Sequence, residues 1–201
     1  RELRSGERVN IDPAVFALAE AAEENGGLRF TLSDCARLPG LRAEVTVLPD
    51  GQGGLLFDLR ADGTPVTHTL DAAIFPNVTF DDPARRGSLL TPHGQGMLRD
   101  RPGETGVCYR WPYPSMLATM QFMALIWEGR GLYYGIHDSE ACLKELLAGS
   151  APLGQGVCLS VRCYAGGMNE PGNGFAMPAP VTLRPFAGSW YDAAMLYRDW
   201  V

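Results

Sequence analysis

The sequence is nearly free of lysine, and its basic residues form no cluster. The sequence has one lysine, Lys144, and sixteen arginines, and its formal net charge is −6. Arg85 and Arg86 are the one adjacent basic pair, so no basic stripe could follow a phosphate backbone. The composition therefore predicts a protein with no nucleic-acid partner.

Long apolar runs are also missing. A membrane-spanning helix needs about 20 consecutive apolar residues, and no such run occurs among the 201 residues. The contents of 46% apolar and 20% charged residues are typical of a globular protein, so we predict a soluble domain without a membrane partner. Since the sequence opens at Arg1 with no signal-peptide pattern, we expect a trimmed N-terminus, and a cytoplasmic and a secreted location both stay open.

Cysteine and histidine are too few and too dispersed to indicate a metal centre. The five cysteines include no C-x-x-C pair, and their odd number argues against a complete disulfide framework. The three histidines, His68, His93 and His137, fit no zinc motif. We predict buried free thiols, no metal site and no cofactor.

Glycine and proline, by contrast, are abundant. The 24 glycines and 15 prolines would serve many turns between short strands. Several stretches have apolar residues at every second position, which is the period of a half-buried strand. These stretches are 28–32, 43–47, 55–59, 66–70, 157–163 and 181–183.

Two further stretches, 119–127 and 132–137, are apolar at nearly every position and are joined by a glycine-containing turn. A strand without alternation is covered on both faces, so this hairpin is predicted to lie in the middle of the fold. Residues 80–110 lack periodicity and predict a long loop with one short strand at 88–90. The fold class predicted is mainly β: an antiparallel β-sandwich with a few short helices.

Three segments carry helix signals. Asp12 and Pro13 precede an alanine-rich stretch that stops at Gly26, Asp138 precedes ACLKELLAG, and Ser189 with Asp192 forms a capping-box pattern before 190–201. On the third helix, one broad apolar face is predicted to pack on another part of the protein. Its members are Trp190, Ala193, Ala194, Tyr197, Trp200 and Val201.

No nucleophile motif for hydrolysis is present, since no G-x-S-x-G elbow occurs. A glycosidase needs two carboxyl groups several ångströms apart. Most of the carboxyl groups in this sequence that could form such a pair are predicted to lie in solvent-exposed turns. Asp58, Asp81, Asp82, Glu104, Glu128 and Asp138 are those candidates. We predict no catalytic residue in this chain.

The aromatic stretch YRWPYP suggests a binding role. Trp111 and Tyr113 could pack on the apolar face of a pyranose ring, with Pro112 and Pro114 holding the platform stiff. The alternative is that these rings close one end of the sandwich core.

Two segments together resemble a known family. The matching residues of the first are Tyr113-Pro114, Met120-Gln121-Phe122, Gly131-Leu132-Tyr133-Tyr134, His137-Asp138 and Lys144. Those of the second are Trp190-Tyr191-Asp192-Ala193-Ala194, Tyr197-Arg198 and Trp200. In these segments, about a quarter of the chain, the sequence is similar to glycoside hydrolases that carry a galactose-mutarotase-like supersandwich before a catalytic (β/α)8 barrel, many of them described only as domains of unknown function.

The resemblance implies a supersandwich domain over 1–186 and a connecting helix over 187–201 that leads toward a downstream catalytic barrel. It implies an accessory domain of a glycoside hydrolase acting on an oligo- or polysaccharide, with carbohydrate and the barrel as partners. Residues 80–110 and the platform are where a sandwich would reach the substrate, and the substrate-binding residues predicted are Trp111, Tyr113, Arg110 and His93. A carbohydrate-binding module and a purely structural domain are the alternatives.

Overall fold

The computed structural model describes residues 1–81, 87–105, 108–150 and 156–201. Fifteen strands lie in these ranges. They are β1 (Phe16–Glu24), β2 (Gly27–Cys35), β3 (Arg42–Pro49), β4 (Leu55–Asp62), β5 (Ala72–Ile74), β6 (Val78–Phe80), β7 (Ser88–Thr91), β8 (Met97–Asp100), β9 (Cys108–Tyr113), β10 (Phe122–Trp127), β11 (Arg130–Ile136), β12 (Lys144–Ser150), β13 (Val157–Tyr164), β14 (Phe175–Ala176) and β15 (Val181–Ala187). A 3-10 turn at Pro13–Val15 and two helices, α1 (Pro102–Thr105) and α2 (Trp190–Arg198), accompany them.

The strands form two sheets, and all pairings between named strands are antiparallel. The large sheet has the order β1-β2-β3-β4-β15-β11-β10-β7-β8, with β14 beside β4. The small sheet has the order β5-β13-β12-β9, with β6 beside β13. This arrangement confirms the predicted antiparallel β-sandwich with a few short helices.

The main core lies between the two sheets, and a second core lies on the outer face of the large sheet. On β10, Met123 and Leu125 point into the main core, while Phe122 and Ala124 point the other way into the second. The second core is covered by α2, whose Ala193 is fully buried. Because β10 is covered on both faces, the prediction that its apolar hairpin lies in the middle of the fold is confirmed.

The helix predicted after Pro13 is wrong. Asp12 Oδ1 does accept a hydrogen bond from the Ala14 amide at 2.9 Å, but only the 3-10 turn forms, and the alanine-rich stretch is β1, paired with β2. Asn25 and Gly26, with φ values of 48° and 76°, form the two-residue turn between these strands. Asn-Gly is the favoured pair for such a turn, so sheet pairing overrode the helix propensity of alanine.

The helix predicted after Asp138 is also wrong. Its residues form β12, which lies between β13 and β9. Asp138 instead accepts hydrogen bonds from the amides of Glu140 and Cys142, at 3.0 and 2.8 Å, and so closes a turn before the strand. Ala141, in this turn, has a φ of 50°, which an α-helix does not allow.

Two further predictions of local structure are corrected. The strand predicted at 66–70 does not form; in this segment, His68 makes an isolated β-bridge to Glu2. The predicted long loop at 80–110 contains β7, β8, α1 and the start of β9. Its residues 82–86 and 106–107 lie outside the described ranges.

The terminal helix begins as predicted. Ser189 and Asp192 make the reciprocal hydrogen bonds of a capping box, and α2 packs against β10, β11 and β15 of its own sandwich. The predicted apolar face is only partly right, because Ala193, Ala194 and Tyr197 face the sheet whereas Trp190 is 53% exposed and Val201 is 84% exposed.

The five cysteines are all free, and two of them, Cys35 and Cys163, are buried as predicted. Cys108 and Cys142 are exposed and Cys158 is half-buried, so the prediction of buried thiols is wrong for Cys108 and Cys142. In the described ranges, α2 is the longest helix, and no helix has the length and apolar character that a membrane crossing requires.

Candidate functional site

Strand β9 carries three of the four residues predicted to bind substrate. Among the described strands it pairs with β12 alone, at the edge of the small sheet. Because successive side chains of a strand point to opposite faces, Trp111 and Tyr113 face the main core and Arg110 faces outward. The Arg110 side chain therefore points away from those of Trp111 and Tyr113.

Trp111 is a core residue. It is 4% exposed, and its ring stacks on that of Tyr109 with centroids 5.2 Å apart. This location agrees with the alternative in which the aromatic rings close one end of the core. No broad face of the Trp111 ring is open to a sugar in this conformation.

Arg110 belongs to a polar cluster on the outer face of the small sheet. At its centre is Glu145, which is buried and hydrogen-bonded to Arg110, to Arg162 at 3.0 Å and to the Tyr164 hydroxyl at 2.8 Å. Burial alone would raise the pKa of Glu145, but these partners hold it below its usual value. The Arg110 charge is thus already paired.

A cleft of about 400 Å³ opens where β8 and β9, the edge strands of the two sheets, lie next to each other. Tyr109 and the buried Trp111 are its aromatic lining residues, Met97 and Leu117 form apolar walls, and Arg99 and His93 supply polar groups. Arg110 also borders it. Of the predicted substrate-binding residues, the cleft brings together His93, Arg110 and Trp111 but not Tyr113.

Tyr113 instead takes part in a buried polar network, which the sequence did not predict. Its ring centroid lies 4.8 Å from Lys144 Nζ. Lys144, which is fully buried, donates to Asp138 Oδ2 at 2.7 Å and to Gln121 Oε1 at 2.9 Å, and Gln121 Nε2 donates to the Asp138 carbonyl at 3.0 Å. Since Lys144 is on the small sheet and the other two residues flank the central hairpin of the large sheet, the network joins the two layers.

The charge of Asp138 is stabilised in this network. Burial alone would raise the pKa of Asp138, but the hydrogen bond and charge of Lys144 and the two amide hydrogen bonds hold the pKa below its usual value. Asp138 is therefore an ionised structural carboxylate, not the solvated turn residue that the sequence suggested.

The network continues to α2. The Tyr197 ring stacks on that of Phe122, the neighbour of Gln121, with centroids 5.1 Å apart, and burial raises the pKa of Tyr197. His137 stacks on Trp200 with ring centroids 4.8 Å apart, and its Nε2 lies 2.8 Å from the Tyr133 hydroxyl. Burial, with the nearby charge of Arg184, lowers the pKa of His137 to about 4, so this imidazole is neutral near pH 7.

A signal for this network was present in the sequence. If 144–148 is interpreted as a strand, Lys144, Leu146 and Ala148 share one face, and the two apolar members indicate that this face is buried. A lysine on such a face needs a buried partner. The segments that supply the partners are far apart in sequence, so the pairing itself could not be predicted.

The described ranges contain no group of three or more His, Cys, Asp or Glu side chains placed to hold a metal ion. The buried carboxylates Asp138 and Glu145 both have lowered pKa values, whereas the acid of a glycosidase needs a raised one.

Comparisons with known proteins show a similarity of fold. No protein-family model and no curated protein sequence matches the chain. Among solved structures, it is similar to alpha-N-acetylgalactosaminidase NagBb from Bifidobacterium bifidum. The quadruple mutant has a TM-score of 0.74 and 15% identity over 98% of this chain, and the GalNAc complex has a TM-score of 0.69 and 16% identity over 94%. The ligand-free form has a TM-score of 0.65 and 16% identity over 92% of this chain.

This chain spans about a third of the length of those proteins, with coverages of 32%, 31% and 30%. Nearly all of this chain therefore shares its fold with one part of these longer proteins.

Proposed function

We propose that this chain is an accessory β-sandwich domain of a carbohydrate-active enzyme, a glycoside hydrolase that acts on an oligo- or polysaccharide. The observation that carries the proposal is the fold similarity, which extends over 98% of this chain and 32% of a NagBb chain. In sequence, the 112–146 and 188–201 segments resemble glycoside hydrolases. Both observations favour the same class of enzyme.

The chemistry in this proposal is carried by another part of the same polypeptide, a (β/α)8 barrel. The ion-paired state of Asp138 and Glu145 supports this assignment, because neither carboxyl group is held protonated for transfer to a leaving group. The exposed Trp190 and Tyr191 at the start of α2 are the aromatic residues that we expect to contact the barrel.

The buried network gives the accessory domain a physical role. It joins the two sheets through Lys144 and Gln121, and α2 is held beside it by the stacking of Trp200 on His137, the neighbour of Asp138. A helix fixed in this way can present its outer face at a constant angle to a neighbouring domain. The sandwich would thus position the barrel and contribute a wall of the substrate cleft.

The test of the parent activity is a hydrolysis assay of the complete gene product. Because the NagBb structures include a GalNAc complex, the first substrate is an aryl α-N-acetylgalactosaminide, followed by the other common aryl glycosides. We expect release of the aryl group from at least one of them. Absence of turnover on the whole panel, with a folded product, would contradict the proposal.

A carbohydrate-binding module is the second candidate, and the cleft between β8 and β9 favours it. Its aromatic and apolar surface with a few polar groups is the usual composition of a small-ligand site. In this alternative the chain holds a glycan through the cleft, and the parent protein does not hydrolyse it. Glycan binding without any hydrolysis by the complete gene product would favour the module.

A further inference from the structure

The cleft between β8 and β9 contains an arginine in an unusual setting. Arg99 lies on the inner face of β8, directly opposite the core residue Leu89, so its side chain extends toward β9. Its guanidinium carbon lies 4.6 Å from the centroid of the Tyr109 ring. Tyr109 in turn stacks on Trp111, so guanidinium, phenol and indole form one continuous stack.

The charge of Arg99 is not matched by a described carboxylate. Most other arginines in the described ranges lie within 4.0 Å of one; Arg110 and Arg162 contact Glu145, and Arg184 contacts Asp50. No carboxylate of a described side chain forms an ion pair with Arg99. The protein as a whole is acidic, with a net charge of −6, so attraction of an anion to this cleft would be a local property of the site.

The surroundings of Arg99 fit a sugar ring better than a bare ion. Met97 and Leu117 are exposed apolar side chains beside the aromatic stack. Pyranose C–H groups pack on such surfaces, whereas a small anion gains nothing from them. A guanidinium fork matches the two oxygens of a carboxylate or sulfate, and His93 adds a further polar group at the cleft.

We propose that this cleft binds a glycan through an acidic substituent, a sulfate ester or a carboxylate, which Arg99 contacts while the sugar ring packs on the exposed Met97 and Leu117. The inference rests on the proposed role in carbohydrate chemistry and specifies a class of ligand for it. Neutral sugars of the same size would lack the charged contact and bind more weakly.

The experiment is a calorimetric titration of the 201-residue chain with four probes. They are 6-O-sulfo-N-acetylgalactosamine, N-acetylgalactosamine, glucuronic acid and inorganic sulfate. We expect at least one of the two acidic sugars to bind about tenfold or more tightly than both N-acetylgalactosamine and inorganic sulfate, which corresponds to one strong charged contact. Binding should weaken as salt concentration rises.

The variant Arg99→Ala should remove this preference, and Arg99→Lys should retain part of it. Arg130→Ala is the matched control, because Arg130 also lies over an aromatic ring, Trp127 at 6.0 Å, but at the tip of the β10–β11 hairpin. It should bind like the unmodified chain. Far-ultraviolet circular dichroism and the urea midpoint establish that each variant is folded.

The position of the ligand is tested by thiol alkylation. Cys108 lines the cleft and is exposed, whereas Cys142 is exposed elsewhere. The acidic sugar should slow alkylation of Cys108 and leave Cys142 unchanged, and equal protection of both thiols would overturn the location.

Three results of the titration would overturn the inference. Equal binding of neutral and acidic sugars would show that the cleft does not select an acidic substituent. If inorganic sulfate bound as tightly as the sulfated sugar, the cleft would be a site for small anions and not for a sugar. No binding of any probe would remove the site. All three would leave the hydrolase proposal standing, since that proposal is tested by turnover of the complete gene product.

Discussion

Lys144 Nζ lies 2.7 Å from Asp138 Oδ2, and the two side chains are 0% and 1% exposed. A buried ion pair adds little to stability compared with apolar packing, but removing one partner leaves a buried charge without compensation. Gln121 and the amides of Glu140 and Cys142 complete the hydrogen bonding around the pair. The network should therefore be intolerant of single substitutions.

We predict that Lys144→Met lowers the free energy of unfolding by about 3–5 kcal/mol, because Asp138 then stays buried without its counter-charge. Urea denaturation at pH 7 measures the change. The double variant Lys144→Met with Asp138→Asn should be more stable than the single one, since no buried charge remains.

The control for this prediction is Arg198→Ala, which removes an exposed ion pair with Asp199 and should change stability by less than about 0.5 kcal/mol. A loss below about 1 kcal/mol for Lys144→Met would show that the buried pair is not an essential part of the fold.

The second prediction concerns the loss of stability at acidic pH. Burial, with the charge of Arg184, lowers the pKa of His137 to about 4, whereas the pKa in the unfolded chain is near 6.5. The neutral imidazole therefore contributes stability that is complete above pH 6.5 and is lost as the pH falls toward 4. After discounting for partial exposure, we expect a loss of about 1–2 kcal/mol over this interval.

The measurement is the urea midpoint between pH 7 and pH 4.5 for the unmodified chain and for His137→Phe. Phenylalanine keeps a ring against Trp200 but does not titrate, so the variant should show a shallower decline. Identical slopes would contradict the assignment of this transition to His137. The lowered pKa values of Asp138 and Glu145 place their own loss of stability at lower pH, below about 4.

The third prediction compares a buried tryptophan with a half-exposed one. Trp111→Ala should cost about 3–5 kcal/mol of unfolding free energy because it opens a cavity in the main core. Trp190→Ala should change it by less than about 1 kcal/mol, since the ring is half exposed. If the two variants were equally stable by urea denaturation, the placement of Trp111 in the core would be wrong.

The fourth prediction concerns the start of α2. Ser189 accepts from the Tyr191 amide at 3.2 Å, and Asp192 accepts from the Ser189 amide at 2.7 Å. Ser189→Ala should lower stability by about 1 kcal/mol and speed amide exchange in the first turn of the helix. Ser139→Ala, an exposed serine in the turn before β12, should have no such effect on α2, and unchanged exchange in Ser189→Ala would argue against the cap.

The parts of this structure that could be predicted from sequence are those set by local pattern. Alternation at 28–32, 43–47 and 55–59 gave β2, β3 and β4, and Ser189 with Asp192 gave the start of α2. Helix propensity gave wrong predictions at β1 and β12. Alanine, leucine, lysine and glutamate favour helices in isolation, but these two segments pair with neighbouring strands instead. The Asn25-Gly26 turn was the local signal for the first hairpin.

The site was less predictable than the fold. Strand alternation alone implies that Arg110 and Trp111, as adjacent residues of β9, face opposite ways. The two side chains can therefore belong to one binding surface only at the edge of the sheet, where the cleft borders both of them. The partners of Lys144 come from 121 and 138, on the other sheet, and no local pattern could have named them.

We propose that this chain assists a glycoside hydrolase and that another part of the same polypeptide carries the reaction. The measurement that tests it most directly is kcat/KM of the complete gene product and of residues 1–201, side by side, on the best aryl glycoside of the panel. We expect turnover by the complete product and none above the uncatalysed rate by the 201-residue chain. Hydrolysis by the chain alone would contradict the account.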